Sequence, residues 1–160
     1  MNKVINSTSA EEDAFRQASA CLCAEKAALR LIARAEQCTS GLRRKLEKRK
    51  FESNCIDIVI ERLSALNLID DSRFSRLWLE SRLRLPRSPR RLLIGLCTRG
   101  IDRDNAETAV KEVLNEETEY ALLLRFAKKY ARKMEGRDLK YLFKNEGFSS
   151  EVIKRYFEDE

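Results

Sequence analysis

Histidine is absent from this 160-residue chain, and its five cysteines (Cys21, Cys23, Cys38, Cys55 and Cys97) include no Cys-x-x-Cys pair. A zinc site lacks its usual ligands. An odd, scattered set of thiols predicts reduced cysteines that act as small apolar side chains in a cytoplasmic protein. Proline occurs twice and glycine five times, while 36% of residues are charged; this balance favours helix over sheet. Apolar runs stay far short of the roughly 20 residues that cross a bilayer, and no basic start with an apolar core opens the chain. A soluble, unexported protein without membrane contact is expected. No glycine-rich loop is present to cradle a phosphate, so nucleotide hydrolysis has no support. The adjacent carboxylates Asp70 and Asp71 diverge at a helix entry and have no third ligand nearby in sequence. They predict helix capping rather than chemistry, and neither an enzyme nor a cofactor is expected.

What the chain has is charge, unevenly placed. A net charge of +6 and a pI near 9.2 suit polyanions or acidic protein surfaces. Between Arg43 and Lys50 only Glu47 is negative, and Leu42 and Leu46 take the inner face, leaving Arg43, Arg44 and Lys48 outside. The segment Arg82, Arg84, Arg87, Arg90 and Arg91 surrounds a turn marked by Pro86 and Pro89 and contains no acid. Arginine pairs bidentately with phosphate or carboxylate, so these eight cations are the candidate partner-binding face. The plainer reading is a solvated surface. Asp102 to Glu119, by contrast, is acidic.

The apolar residues are organised as a repeat. Leu42, Leu46, Phe51, Ile56, Ile60 and Leu63 recur as Leu92, Leu96, Ile101, Ala106, Val110 and Val113, then as Leu139, Phe143, Phe148, Ile153 and Phe157. Equal internal spacings at shifts near 50 residues predict tandem units, each a helix, a turn and a second helix. Gly100 and Gly147 fall where a helix end needs positive φ, with Asp102 and Ser149 as the following N-caps. Lys50 occupies the same place in the first unit, so that turn is either strained or built differently. A further helix precedes each pair, at roughly 25–37, 71–84 and 117–133, the last with Lys128, Lys129, Arg132 and Lys133 near its end. The expectation is all-α: residues 1–24 as an N-terminal helical extension, then three-helix units over 25–67, 68–115 and 116–160, stacked into an elongated body. Residues 1–8 lack periodicity. Ser9 with Glu12 fits a capping box, and Phe15, Ala18, Leu22, Leu29 and Ile32 mark the apolar face that follows.

The most characteristic stretch is Leu68 to Arg82, LIDDSRFSRLWLESR. Phe74, Leu77, Trp78 and Leu85 fall at helical steps and predict a core-facing stripe, Trp78 included. Arg73, Arg76, Glu80 and Arg84 lie opposite. Taken in order, Asp70, Asp71, Arg73, Phe74, Arg82, Pro89, Arg90, Arg91, Leu92, Leu96, Gly100 and Ile101 resemble the middle of the RecX family of recombination regulators. Arg34, Glu36, Leu42, Lys45, Leu46 and Phe51 match its first unit, and the resemblance runs from about Ala28 to Phe157. Departures are Cys38 for Ser, Gly41 and Gly95 for Glu, and Lys50 and Ser88 for Gly.

The resemblance implies three repeated three-helix units and a non-enzymatic regulator that binds the RecA recombinase filament on single-stranded DNA. It implies inhibition of the filament's ATPase, recombination, DNA-repair and SOS activity. Single-stranded DNA is a candidate further contact, and a monomer is expected. The competing classes are a direct nucleic-acid-binding helical module and a general helical-repeat interaction scaffold. The first would need polar side chains able to reach base edges beside phosphate contacts, and no helix clearly shows that arrangement.

Overall fold

Three turns in this chain share one backbone geometry. In a computed structural model that describes residues 3–130, 134 and 136–159, with side chains from residue 11 onward, Lys50, Gly100 and Gly147 have φ of +65°, +89° and +84°. Each is followed by an apolar residue whose N–H reaches back to the preceding helix: Phe51 to Leu46 O, Ile101 to Leu96 O and Phe148 to Phe143 O, at 3.4, 3.3 and 3.1 Å. The inner bonds, Lys50 to Glu47 O, Gly100 to Cys97 O and Gly147 to Lys144 O, complete Schellman caps. The first unit is therefore built as the others are, with a lysine in the left-handed region. Asn67, at φ +55°, closes another helix in the same way.

These caps punctuate nine helices among the described residues, with no strand. They are α1 (Lys3–Ile32), α2 (Thr39–Lys48), α3 (Ser53–Ala65), α4 (Asp71–Arg82), α5 (Pro89–Cys97), α6 (Arg103–Val113), α7 (Glu116–Tyr130), α8 (Gly136–Asn145) and α9 (Ser150–Glu158). The fold is a helical repeat. Asp102 accepts from the N–H groups of Asp104 and Asn105, and Ser149 accepts from that of Val152, as their N-cap positions predict. Ser88 caps α5 by accepting from Arg91 N–H, with Pro89 at the first helical position. Cys38 offers α2 no cap. A distant carboxylate does so instead: Asp71 Oδ1 accepts from Thr39 N–H at 2.7 Å.

Residues 1–71 form one compact unit and residues 72–160 another. In the first, Leu42, Leu46, Ile56, Val59 and Leu63 are buried together against Ala24 and Ala28 of α1. In the second, Leu92, Leu96 and Ala106 are buried, as are Leu122, Leu123, Phe143, Val152 and Ile153. Phe126, Phe143, Phe148 and Tyr156 add ring contacts with centroids 5.1–6.0 Å apart. A side chain of this size contributes roughly 1.5–3 kcal/mol on burial.

The N-terminal region departs from expectation. Helix α1 begins at Lys3, so the backbone of residues 3–8 is helical, and Ser9 sits inside the helix rather than at its cap. Phe15, Leu22 and Leu29 are 76%, 55% and 40% exposed. The packed face is the small one, Ala20, Cys21, Ala24, Ala27 and Ala28 with Leu31. Small side chains let α1 approach α3 closely, with Cys21 and Cys55 Cα atoms 4.7 Å apart, and the two cysteines form a disulfide. The expected set of reduced thiols is thereby corrected: Cys23, Cys38 and Cys97 alone stay out of a disulfide.

Helix α4 is also rotated from its expected register. Ser75 and Leu79 are buried, Phe74 and Trp78 half-buried, and Leu77 and Leu85 are 45% and 38% exposed. It ends at Arg82, so Arg84 lies beyond the helix and cannot pair with Glu80 along a helical face. Ala131, Arg132 and Lys133 lie outside the described residues.

Candidate partner-binding surface

The arginine-rich turn after α4 divides into cations held by their own chain and cations facing outward. Arg82 lies 5.5 Å over the Trp78 ring, which Arg99 also covers at 4.5 Å. Arg90 donates its backbone N–H to Glu146 O at 3.1 Å, and its Nη1 donates to Asn145 O at 3.1 Å. The Arg91 guanidinium stands 4.6 Å over Tyr130 and 5.6 Å over Phe126, with Nε 3.5 Å from Glu146 Oε2. Ser88, fully buried, donates its hydroxyl to the same carboxylate. Partial desolvation alone would push the Tyr130 phenol up, but hydrogen bonding and charge from Lys129 and Arg91 outweigh it and the net shift is down. The segment itself contains no acid. In space it has Glu146, some 55 residues on, and Arg90 and Arg91 serve the packing of α5 against the α8–α9 turn.

Arg84 and Arg87 are exposed. Arg84 and Pro86 line a cleft of 470 Å³ with Arg125, Lys128 and Lys129 of α7, and among the described residues no carboxylate contributes to its wall. Arg125 Nη1 donates to Leu83 O at 2.8 Å, fixing the post-helical segment against α7. Sequence reasoning identified Arg84 and noted Lys128 and Lys129 separately. Arg125 was missed, and its spacing from the lysines along α7 was the available signal.

In the first unit, Arg43 Nη2 pairs with Asp57 Oδ1 at 2.5 Å and Lys45 Nζ donates to Gln37 Oε1 at 2.5 Å. An exposed pair of this kind contributes about 0–1 kcal/mol. Arg44 and Lys48 are exposed on the same helix. Asp71 is the α2 cap already described, Asp70 and Arg73 are half-buried beside it in sequence, and Phe74 leans into α4's packed side. Gly100 and Gly147 serve the turns. Among the described residues, His, Cys, Asp and Glu form no group of three able to hold a metal ion, and no helix is long and apolar enough to cross a membrane.

This architecture coincides with known sequences. Residues 24–63 match the RecX first three-helix domain, and residues 70–110 match the RecX second three-helix domain. A regulatory protein RecX from Treponema pallidum subsp. pallidum is 36% identical over 140 residues, covering 85% of each chain. The chain belongs to the RecX family. A second RecX regulatory protein, from Chlorobium phaeobacteroides, is 34% identical over 134 residues, covering 79% of this chain and 86% of its own. The crystal structure of RecX from Lactobacillus salivarius superposes with a TM-score of 0.73 at 19% identity, over 89% of this chain and 97% of that one. Another RecX crystal structure gives 0.77 over 95% and 78%. These two structural matches carry the RecX fold.

Proposed function

We propose that this RecX-family chain is a cytoplasmic, non-enzymatic regulator that binds the RecA filament on single-stranded DNA and inhibits its ATPase, recombination and DNA-repair or SOS activity. The organisation assigned to it is an extension over residues 1–24 and units over 25–67, 68–115 and 116–160. The observation that carries the reading is the cleft joining Arg84 to Arg125, Lys128 and Lys129, to which no carboxylate among the described residues contributes. A nucleoprotein filament presents phosphates and acidic side chains along its groove, and such a cleft suits both. Arg87, next to Pro86 in sequence, is exposed as well. Arg43, Arg44 and Lys48 offer a second basic face on the first unit.

The test is a titration on preformed RecA filaments at several salt concentrations. The variant Arg84→Glu/Arg87→Glu/Lys129→Glu is expected to keep its helical content, since all three positions are exposed. Its binding weakens strongly, each charged contact contributing roughly 1.5–3 kcal/mol, and wild-type affinity falls with added salt. Parallel mixtures with RecA alone and single-stranded DNA alone identify which component is held. The wild-type chain hydrolyses no ATP itself but lowers DNA-dependent hydrolysis by RecA. Unchanged filament affinity in the folded variant removes the cleft from the reading.

A further inference from the structure

Helix α1 carries an apolar stripe that the described residues leave largely exposed. Every residue from Glu11 to Ser19 is exposed, and Phe15, Ala18, Leu22 and Leu29 fall on the side opposite the buried Ala24 and Ala28. The part of α1 before Ala20 thus runs for several turns without a partner face. Helical segments of that length are marginal in water when isolated, and a 76%-exposed Phe15 adds an unfavourable apolar surface. Glu11 and Glu12, one turn ahead of Phe15 on the same side, and Asp13 give this arm three carboxylates against Lys3 and Arg16.

A groove of complementary character lies between α5 and α6. It encloses 730 Å³ over Leu93, Ile94 and Val110, with Arg90, Arg103 and Lys111 at its edge. Its one carboxylate among the described residues, Glu107, is paired with Arg103 at 2.9 Å. The internal repeat shows that this apolar floor is particular to the second unit. Leu93 and Ile94 stand where the first unit has Arg43 and Arg44 and where the third has Lys140 and Tyr141. Ile94 is 53% exposed. Cavities of this size accept a few apolar side chains with a small number of polar anchors.

We propose that the α1 arm of one copy lays Phe15 and Leu22 into the α5–α6 groove of a second copy, its carboxylates meeting Arg90, Arg103 and Lys111. Where both arms engage, the two copies close into a two-fold dimer; engagement in one direction only is head-to-tail and extends into longer assemblies. It goes beyond the filament reading, because the arm and groove share no residue with the cleft at Arg84, and it differs from the monomer expected from sequence.

The test is sedimentation velocity on the full chain, with exposed Cys23 and Cys97 each changed to Ser in every sample to exclude intermolecular disulfides, from about 1 to about 200 µM, the range in which a micromolar contact populates. Mass rises with concentration for the wild type, and added salt opposes it. Phe15→Lys and Ile94→Arg, the latter placing the first unit's residue in the groove, each weaken association at least about tenfold. Circular dichroism and urea midpoints match the wild type for both. Mixing the two variants restores association, since one retains the groove and the other the arm. A wild-type chain that stays monomeric at the highest concentration overturns the proposal. So does association that survives either substitution, or a mixture that fails to associate.

Discussion

Lys50 adopts the left-handed backbone that Gly100 and Gly147 adopt in the equivalent turns. A Cβ in that region costs roughly 1–2 kcal/mol, while glycine adds freedom to the unfolded chain worth roughly 0.4–1 kcal/mol in the other direction. Lys50→Gly is therefore expected to stabilise the chain by about 0.5–1 kcal/mol, and Gly100→Val or Gly147→Val to destabilise it by more; urea midpoints measure all three. Gly95 shows the same logic in a packed setting. A Cβ there would run into the Trp78 ring, which sits between Arg82 and Arg99. Gly95→Glu, the residue more usual in the family, should cost roughly 1–3 kcal/mol through overpacking, and much of that loss should vanish in a Trp78→Leu background. Additive losses in the double-mutant cycle would show that the ring is not the obstacle. At this scale the sequence was legible where a turn imposes its own chemistry: Asp102, Ser149, Gly100 and Gly147 could be assigned because capping is local. The environment of Gly95 was not legible, since it depends on a ring seventeen positions earlier.

Helix α1 shows where periodicity misleads at the level of an element. Large apolar side chains at Phe15, Leu22 and Leu29 dominate the pattern, yet the helix packs through alanines and Cys21, whose small size permits close approach to α3. The same displacement occurs in α4, where Ser75 and Leu79 are inside and Leu77 is outside. In both cases close packing selects a face that hydropathy ranks second. The Cys21–Cys55 bond joins residues 34 apart in sequence, and constraining a loop of that length removes roughly 3–4 kcal/mol of unfolded-state entropy. Reduction with dithiothreitol is expected to lower the urea midpoint of residues 1–71, and Cys55→Ala to lower it by a similar amount and to abolish any further response to reductant. A midpoint insensitive to reductant in the wild type would show that the bridge contributes nothing in solution.

In the unit formed by residues 72–160, the second and third helical triplets meet at Glu146. Its carboxylate accepts the buried Ser88 hydroxyl and lies near Arg91 Nε, while its carbonyl accepts the Arg90 N–H. Nothing local in sequence announces that meeting, because Ser88 and Glu146 are 58 residues apart; the repeat announced only that similar units exist. Two contributions compete at this carboxylate. The Arg91 pair is partly solvated, with side-chain exposures of 39% and 19%, and such pairs contribute about 0–1 kcal/mol. The hydroxyl of a fully buried Ser88, left without its acceptor, costs roughly 1–3 kcal/mol. The hydrogen bond should therefore dominate. Glu146→Ala is expected to lower stability by about 1–3 kcal/mol in urea titration, and Glu146→Gln, which keeps an acceptor and removes the charge, to recover most of that loss. Because Arg84 lies in the cleft and not at this junction, Arg84→Glu should leave the midpoint near wild type. If Glu146→Gln were as damaging as Glu146→Ala, the ion pair with Arg91 would be the stronger tie, and Arg91→Gln should then reproduce the full loss.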